Sequence, residues 1–125
     1  MLINIANILT GLIGMGIIFI GLNGLRAPRA AAGFGIPGTP TDDPAFRSWL
    51  RVKAGRDIGA GLMILVALVG ATPLLLGWLM LVATVMPVAD ALIVLRSNGP
   101  KAIAYGVHAA TAAVMLLISV LLFLG

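Results

Sequence analysis

The chain contains no cysteine. That excludes disulfides, thiolate metal sites and cysteine nucleophiles, and leaves the compartment open. Charge is also scarce: 10% of the 125 residues are charged and 61% are hydrophobic, where a soluble domain carries about 25% charged residues. Too little polar surface remains to face water on every side, so the sequence reads as an integral membrane protein. No Lys or Arg precedes Arg26; without the basic leading region of a signal peptide, Met1 to Leu25 reads as an uncleaved first span. A net charge of +4 could suggest nucleic acid. The cations flank apolar segments, however, and form no soluble basic face. Nucleic acid is therefore excluded as a partner, and attraction to the bilayer surface accounts for the basicity.

The length suits a single transmembrane domain over residues 1–125. A span needs about 20 mostly apolar residues, and four stretches qualify, at about 2–22, 48–70, 73–95 and 101–125, with an irregular loop at about 26–43. Thr72-Pro73 sets a helix N-cap before a proline at the first helical position, and Asn98-Gly99-Pro100 stops one helix and starts the next. All eight Lys and Arg residues fall between spans one and two or between spans three and four. Four spans put these segments on one side, which the positive-inside rule makes the cytoplasm. The expected fold is an all-α, four-helix membrane bundle with both termini on the outer side. A bacterial inner (plasma) membrane is the expected location.

The basic loop contains Pro28, Pro37, Pro40 and Pro44 with several glycines. Gly33-Phe34-Gly35-Ile36-Pro37-Gly38 matches the dinucleotide-binding glycine spacing, but no strand precedes it, Pro37 interrupts it and no helix opens from it, so the match is rejected. Asp43-Pro44 reads as a cap and helix start. The following turns place Trp49 at headgroup level, with Trp78 in the matching belt on the outer side. Small residues four apart let helices approach closely in lipid: Gly55 and Gly59; Ala6, Thr10 and Gly14; and Ala102, Gly106 and Ala110. The same faces admit an oligomer. Asn4, Asn7 and Thr10, three apart, are expected to hydrogen-bond between helices.

The chain is organised around Arg51-Val52-Lys53-Ala54-Gly55-Arg56-Asp57, where a basic segment runs into an apolar one. Beyond it, the costly residues are Asp90 and His108. Asp90 lies six residues before Arg96, about 9 Å along a helix axis, and His108 lies seven after Lys101, about 10 Å. With Asp57 one turn beyond Lys53, three ionisable groups from three helices occupy one level. Tyr105, three residues before His108, is expected on the same face. Such groups suit a polar pocket with Asp90 and His108 as acid–base residues and Lys53, Arg56, Asp57 and Tyr105 as ligand contacts. The bland alternative is that Asp57 pairs with Lys53 or Arg56 and Asp90 with His108, fastening the bundle. Pro87, one turn before Asp90, either frees a carbonyl to line a cavity or only kinks the helix. No metal is expected, since His108 needs partners at ligand spacing and only Asp90 and Asp57 are available; the sequence leaves any cofactor unknown.

Several of these positions fall in short runs: Gly24-Leu25-Arg26-Ala27-Pro28 with Gly33-Phe34-Gly35-Ile36-Pro37, Arg51-Val52-Lys53 with Arg56-Asp57, Pro87-Val88-Ala89-Asp90, and Tyr105-Gly106-Val107-His108. In these the chain resembles, over nearly its whole length, the small four-span membrane proteins grouped as domain of unknown function 4267. The resemblance implies a fold and a set of positions but no reaction. Three hypotheses follow. The first is a membrane protein binding a small apolar or amphipathic molecule on its cytoplasmic side, with or without acid–base chemistry in which Asp90 is base, His108 acid and Arg56 the anchor. The second is an accessory subunit of a larger membrane complex. The third, a proton-coupled transporter, lacks both a polar route to the outer face and an inverted repeat with interrupted helices.

Overall fold

The computed structural model describes every residue from Met1 to Gly125 and consists of helices and turns, with no strand. Four long helices follow one another: α1 (Leu2–Arg26), α2 (Pro44–Gly70), α3 (Pro73–Arg96) and α4 (Lys101–Leu124). A short 3-10 helix, Pro28–Phe34, lies in the connection between α1 and α2. Helices α1, α3 and α4 are long and apolar enough to cross a membrane, and the chain is a membrane protein. Helix α2 does not join them by composition, because its first half carries Arg47, Arg51, Lys53, Arg56 and Asp57.

Local chemistry sets the helix boundaries. The Asp43 carboxylate accepts the Phe46 N–H at 2.8 Å, with Pro44 leading α2. Thr72 Oγ1 accepts the Leu75 N–H at 3.3 Å, with Pro73 leading α3. Helix α3 ends with Asn98 in the left-handed region (φ 58°). The Gly99 N–H bonds the Val94 carbonyl at 2.9 Å and the Asn98 N–H bonds Leu95 at 3.2 Å, the paired closure that satisfies a helix's last carbonyls. Within α3, regular helix breaks at Thr84. The cause lies three residues on: Pro87 has no N–H for the Ala83 carbonyl, and its ring crowds that oxygen. Helix α4 widens into a π turn over Ala104–Ala109.

Helices α1 and α2 run antiparallel along most of their length, α4 packs against both α1 and α3, and α2 touches α3 only sparsely. The first pair meets backbone to backbone. A Cβ on Gly61 would lie 2.6 Å from the Gly14 carbonyl oxygen, and one on Gly21 would lie 2.8 Å from that of Ala54. Lipid tails are as apolar as leucine, so such close contact, and not exclusion from water, draws these helices together. The Ala6–Thr10–Gly14 face is buried as expected. By contrast, Gly55, Gly59 and Gly106 look onto open space, and the face of α4 that packs is Ala104, His108 and Ala112. Thr10 bonds its own helix, to the Ala6 carbonyl at 2.7 Å, and not a neighbouring one. The four helices share an apolar core of Ala6, Ile64, Leu76, Met80, Met115, Ile118 and Leu122, towards the end that carries both termini.

Candidate functional site

At the opposite end, the connection after α1 folds back as a strap over the turn between α3 and α4. Glycine makes this possible. Gly35 is buried with φ 107°, a conformation costly for any residue with a Cβ; a Cβ there would also press on Ile103 and Val94, at 3.0 and 3.1 Å. A Cβ on Gly99 would strike the Gly35 carbonyl oxygen. The strap is therefore seated in a notch that two glycines leave open.

Seating Gly35 delivers Phe34 to His108. The His108 Nε2 lies 2.8 Å from the Phe34 carbonyl oxygen, so with Nε2 protonated the ring donates to the strap. The same two residues stack, ring centroids 4.4 Å apart and tilted by 47°. Lys53 Nζ sits 5.6 Å from the Phe34 centroid and 2.6 Å from Asp57 Oδ2, forming an ion pair one turn along α2. Asp90 lies close enough to His108, Lys53 and Asp57 to feel their charges. It is half-buried and takes part in none of the side-chain hydrogen bonds or ion pairs.

The structure thus brings together four of the sequence-derived positions, Lys53, Asp57, Asp90 and His108, from three helices. Asp57 pairs with Lys53; Asp90 does not pair with His108, whose Nε2 is committed to the strap. Arg56 and Tyr105 stand apart at the surface, Tyr105 being 58% exposed against 9% for His108. A regular helix would have put Tyr105 and His108 on one face. The i→i+5 spacing of the π turn rotates them apart. Asp42, shared by Arg29 at 3.6 Å and Arg47 at 3.2 Å, ties the far end of the strap to α2.

Phe34, Gly35 and Gly99 complete the site and were not among the expected residues. Their signal in the sequence is an aromatic between two glycines, Gly33-Phe34-Gly35, together with the Asn98-Gly99 turn that receives it. No three His or Asp side chains converge to hold a metal ion. Two surface hollows lie elsewhere: one of about 560 Å3 between α2 and α3, lined by residues such as Met63, Val66, Leu75 and Leu79, and one of about 370 Å3 beside Phe19, Leu22, Asn23 and Arg26. Where the polar groups meet, Phe34 is the occupant. Chemically, the cluster offers a carboxylate free to accept, an imidazole N–H that donates, and an ammonium whose charge is balanced by its neighbour.

A family model described as domain of unknown function (DUF4267) matches residues 14–122, and the chain belongs to that family. No curated protein and no solved structure matches it.

Proposed function

We propose that this member of the DUF4267 family crosses the membrane four times, both termini outside. Its basic, cytoplasmic end would bind a small amphipathic molecule. Support for α2 as the fourth span comes from its antiparallel packing on α1, from the apolar run that follows Asp57, and from the Lys53–Asp57 pair, which balances two of its charges. Grouping of every Lys and Arg towards the end opposite the termini, in the connection after α1 and the helix ends beside the two connections there, supports the orientation. Because the chain lacks cysteine, single replacements report sidedness without background. Ser97→Cys should label from the cytoplasmic side only and Thr72→Cys from the outer side only. Labelling of both from one side would remove the topology.

The observation that carries the binding site is Asp90, a half-buried carboxylate in an apolar helix that takes part in none of the side-chain hydrogen bonds or ion pairs. Ionisable groups in a span are costly, and when they are retained they mark a functional site by default. Lys53 and Asp57 would hold the polar end of the ligand, with Arg56 and Tyr105 at the rim. In a proton-transfer version Asp90 is the base and His108 the acid. The test is mass spectrometry of small molecules that co-purify with the protein from a lipid extract. Loss of one species in both Asp90→Asn and His108→Ala is the expected result; equal retention in both variants removes the site.

A second reading, an accessory subunit in a larger membrane complex, is favoured by the open space over Gly55, Gly59 and Gly106. These are small residues that no helix of this chain uses. Native mass spectrometry in mild detergent separates the two: a stoichiometric partner supports the accessory role, and a lone chain with bound ligand supports the first reading.

A further inference from the structure

We infer that the ligand is a planar ring bearing a carbonyl oxygen on an apolar tail, the chemistry of a membrane quinone, and that Phe34 holds its seat until it arrives. The inference rests on the binding site proposed above and concerns what fills it. Three contacts define the seat. The His108 Nε2 meets a carbonyl oxygen at 2.8 Å, the imidazole packs on a flat ring at 4.4 Å, and Lys53 stands 5.6 Å from that ring's centre. At present one residue, Phe34, supplies both carbonyl and ring. A molecule that displaces it must replace both, because His108 is 9% exposed and a buried N–H left without an acceptor is costly.

Charge narrows the class further. Lys53 is neutralised by Asp57 at 2.6 Å, and Asp90 adds no positive charge. Arg56, which has no ion-pair partner, stands outside at the surface. The seat itself therefore has no unbalanced cation to hold a phosphate or carboxylate, which argues against a phospholipid headgroup or a fatty acid. A neutral acceptor fits instead. The ammonium of Lys53 has three N–H donors, and its hydrogen bond to Asp57 uses one of them. A second ring oxygen directed towards Lys53 would take another. The strap itself is built to leave: the nearby ion pairs that tie it, through Asp42, are exposed, and its seat depends on Gly35 at φ 107°.

The experiment uses the full chain in nanodiscs and measures retention of decylubiquinone over empty nanodiscs. Dodecylbenzene, a ring and tail without carbonyls, and phosphatidylglycerol serve as competitors. Saturable retention is expected. Phe34→Ala removes the ring but keeps the residue 34 carbonyl on His108. It should therefore tighten retention about threefold by making the strap easier to displace. Gly35→Ala, which unseats the strap by another route, should act in the same direction. On the Gly35→Ala background, where the strap carbonyl and ring are both unseated, His108→Ala should weaken retention about fivefold, the worth of one hydrogen bond, and His108→Gln, which keeps a donor, should restore part of it. Retention that is absent from both the natural chain and Phe34→Ala overturns the inference. So does retention that His108→Ala leaves unchanged, or equal competition by dodecylbenzene or phosphatidylglycerol. If the quinone fails while an Asp90-dependent molecule still co-purifies from lipid extract, only the ring carbonyl is wrong. If neither binds, the site falls with it.

Discussion

The two ends of the molecule are closed in opposite ways. At the end carrying the termini, Met80, Met115, Ile118 and Leu122 are almost fully buried against one another. The buried polar residues in that half, Thr10 and Ser119, bond carbonyls of their own helices, Ala6 at 2.7 Å and Met115 at 3.1 Å. At the basic end, closure depends on a polar contact between residues 74 apart in sequence, His108 and the Phe34 carbonyl. A hydroxyl bonded one turn back costs lipid little and commits no other element. A side chain bonded to a distant strap commits two, and either can be displaced. The first end is a core, and the second is a fastening.

If that contrast holds, damage at the first end should lower the stability of the whole fold, and damage at the second should loosen only the strap. Met80→Ala is the largest expected effect. Its side chain is 0% exposed within the shared core, and truncating a buried methionine costs about 3 kcal/mol. Unfolding in mixed detergent should show the whole transition shifting. A normal transition in Met80→Ala would mean that the core is not where stability resides.

Gly99→Ala comes next. The new methyl would strike the Gly35 carbonyl and crowd Val94, and overpacking of this kind costs about 2 kcal/mol. Gly99 is not among the residues at positive φ, so its own backbone accepts alanine and the clash falls on the strap. Hydrogen exchange at residues 28–39 should accelerate while the helices keep their protection. Slowed or unchanged exchange there would show that the strap does not depend on the notch.

This difference between the ends also marks what the sequence could tell. Asp43-Pro44, Thr72-Pro73 and Asn98-Gly99-Pro100 all mark helix boundaries as read, because caps and turns are decided by neighbours within a few residues. The gathering of Asp57, Asp90 and His108 near one end of the bundle was legible for a similar reason, since rise along a helix converts sequence position into distance from the helix end. Which way each side chain points was less so. Tyr105 left the face of His108 because a π turn intervenes, and nothing in Tyr105-Gly106-Val107-His108 announces that. Of three small-residue repeats, only the one at Ala6 packs within the chain; the choice belongs to partners that periodicity does not name. The strap was the least legible feature. Gly33-Phe34-Gly35 could be seen to be unusual, but its partner lies on another helix, and tertiary contacts leave no local signature.

His108→Ala is a smaller perturbation than Gly99→Ala. It removes one hydrogen bond and one ring contact, together worth about 1 kcal/mol, and introduces no clash. Proteolysis between residues 28 and 39 should speed up by less than in Gly99→Ala, with the global transition close to that of the natural chain. A large global loss instead would make His108 part of the core, and the two ends would then be alike.

Asp42→Asn should have the smallest effect. Asp42 is paired with both Arg29 and Arg47, but its side chain is 72% exposed and that of Arg29 80%. Exposed pairs of this kind contribute about 0.3 kcal/mol and are screened by salt. Arg47 also keeps its bond to the Thr41 carbonyl at 2.9 Å, which the substitution leaves intact. Exchange at the strap in Asp42→Asn should therefore match the natural chain at high salt and exceed it only slightly at low salt. A salt-independent loosening as large as that of His108→Ala would relocate the fastening from the buried imidazole to the exposed carboxylate, and the strap would then be held by charge at its margin instead of by the polar contact beneath it.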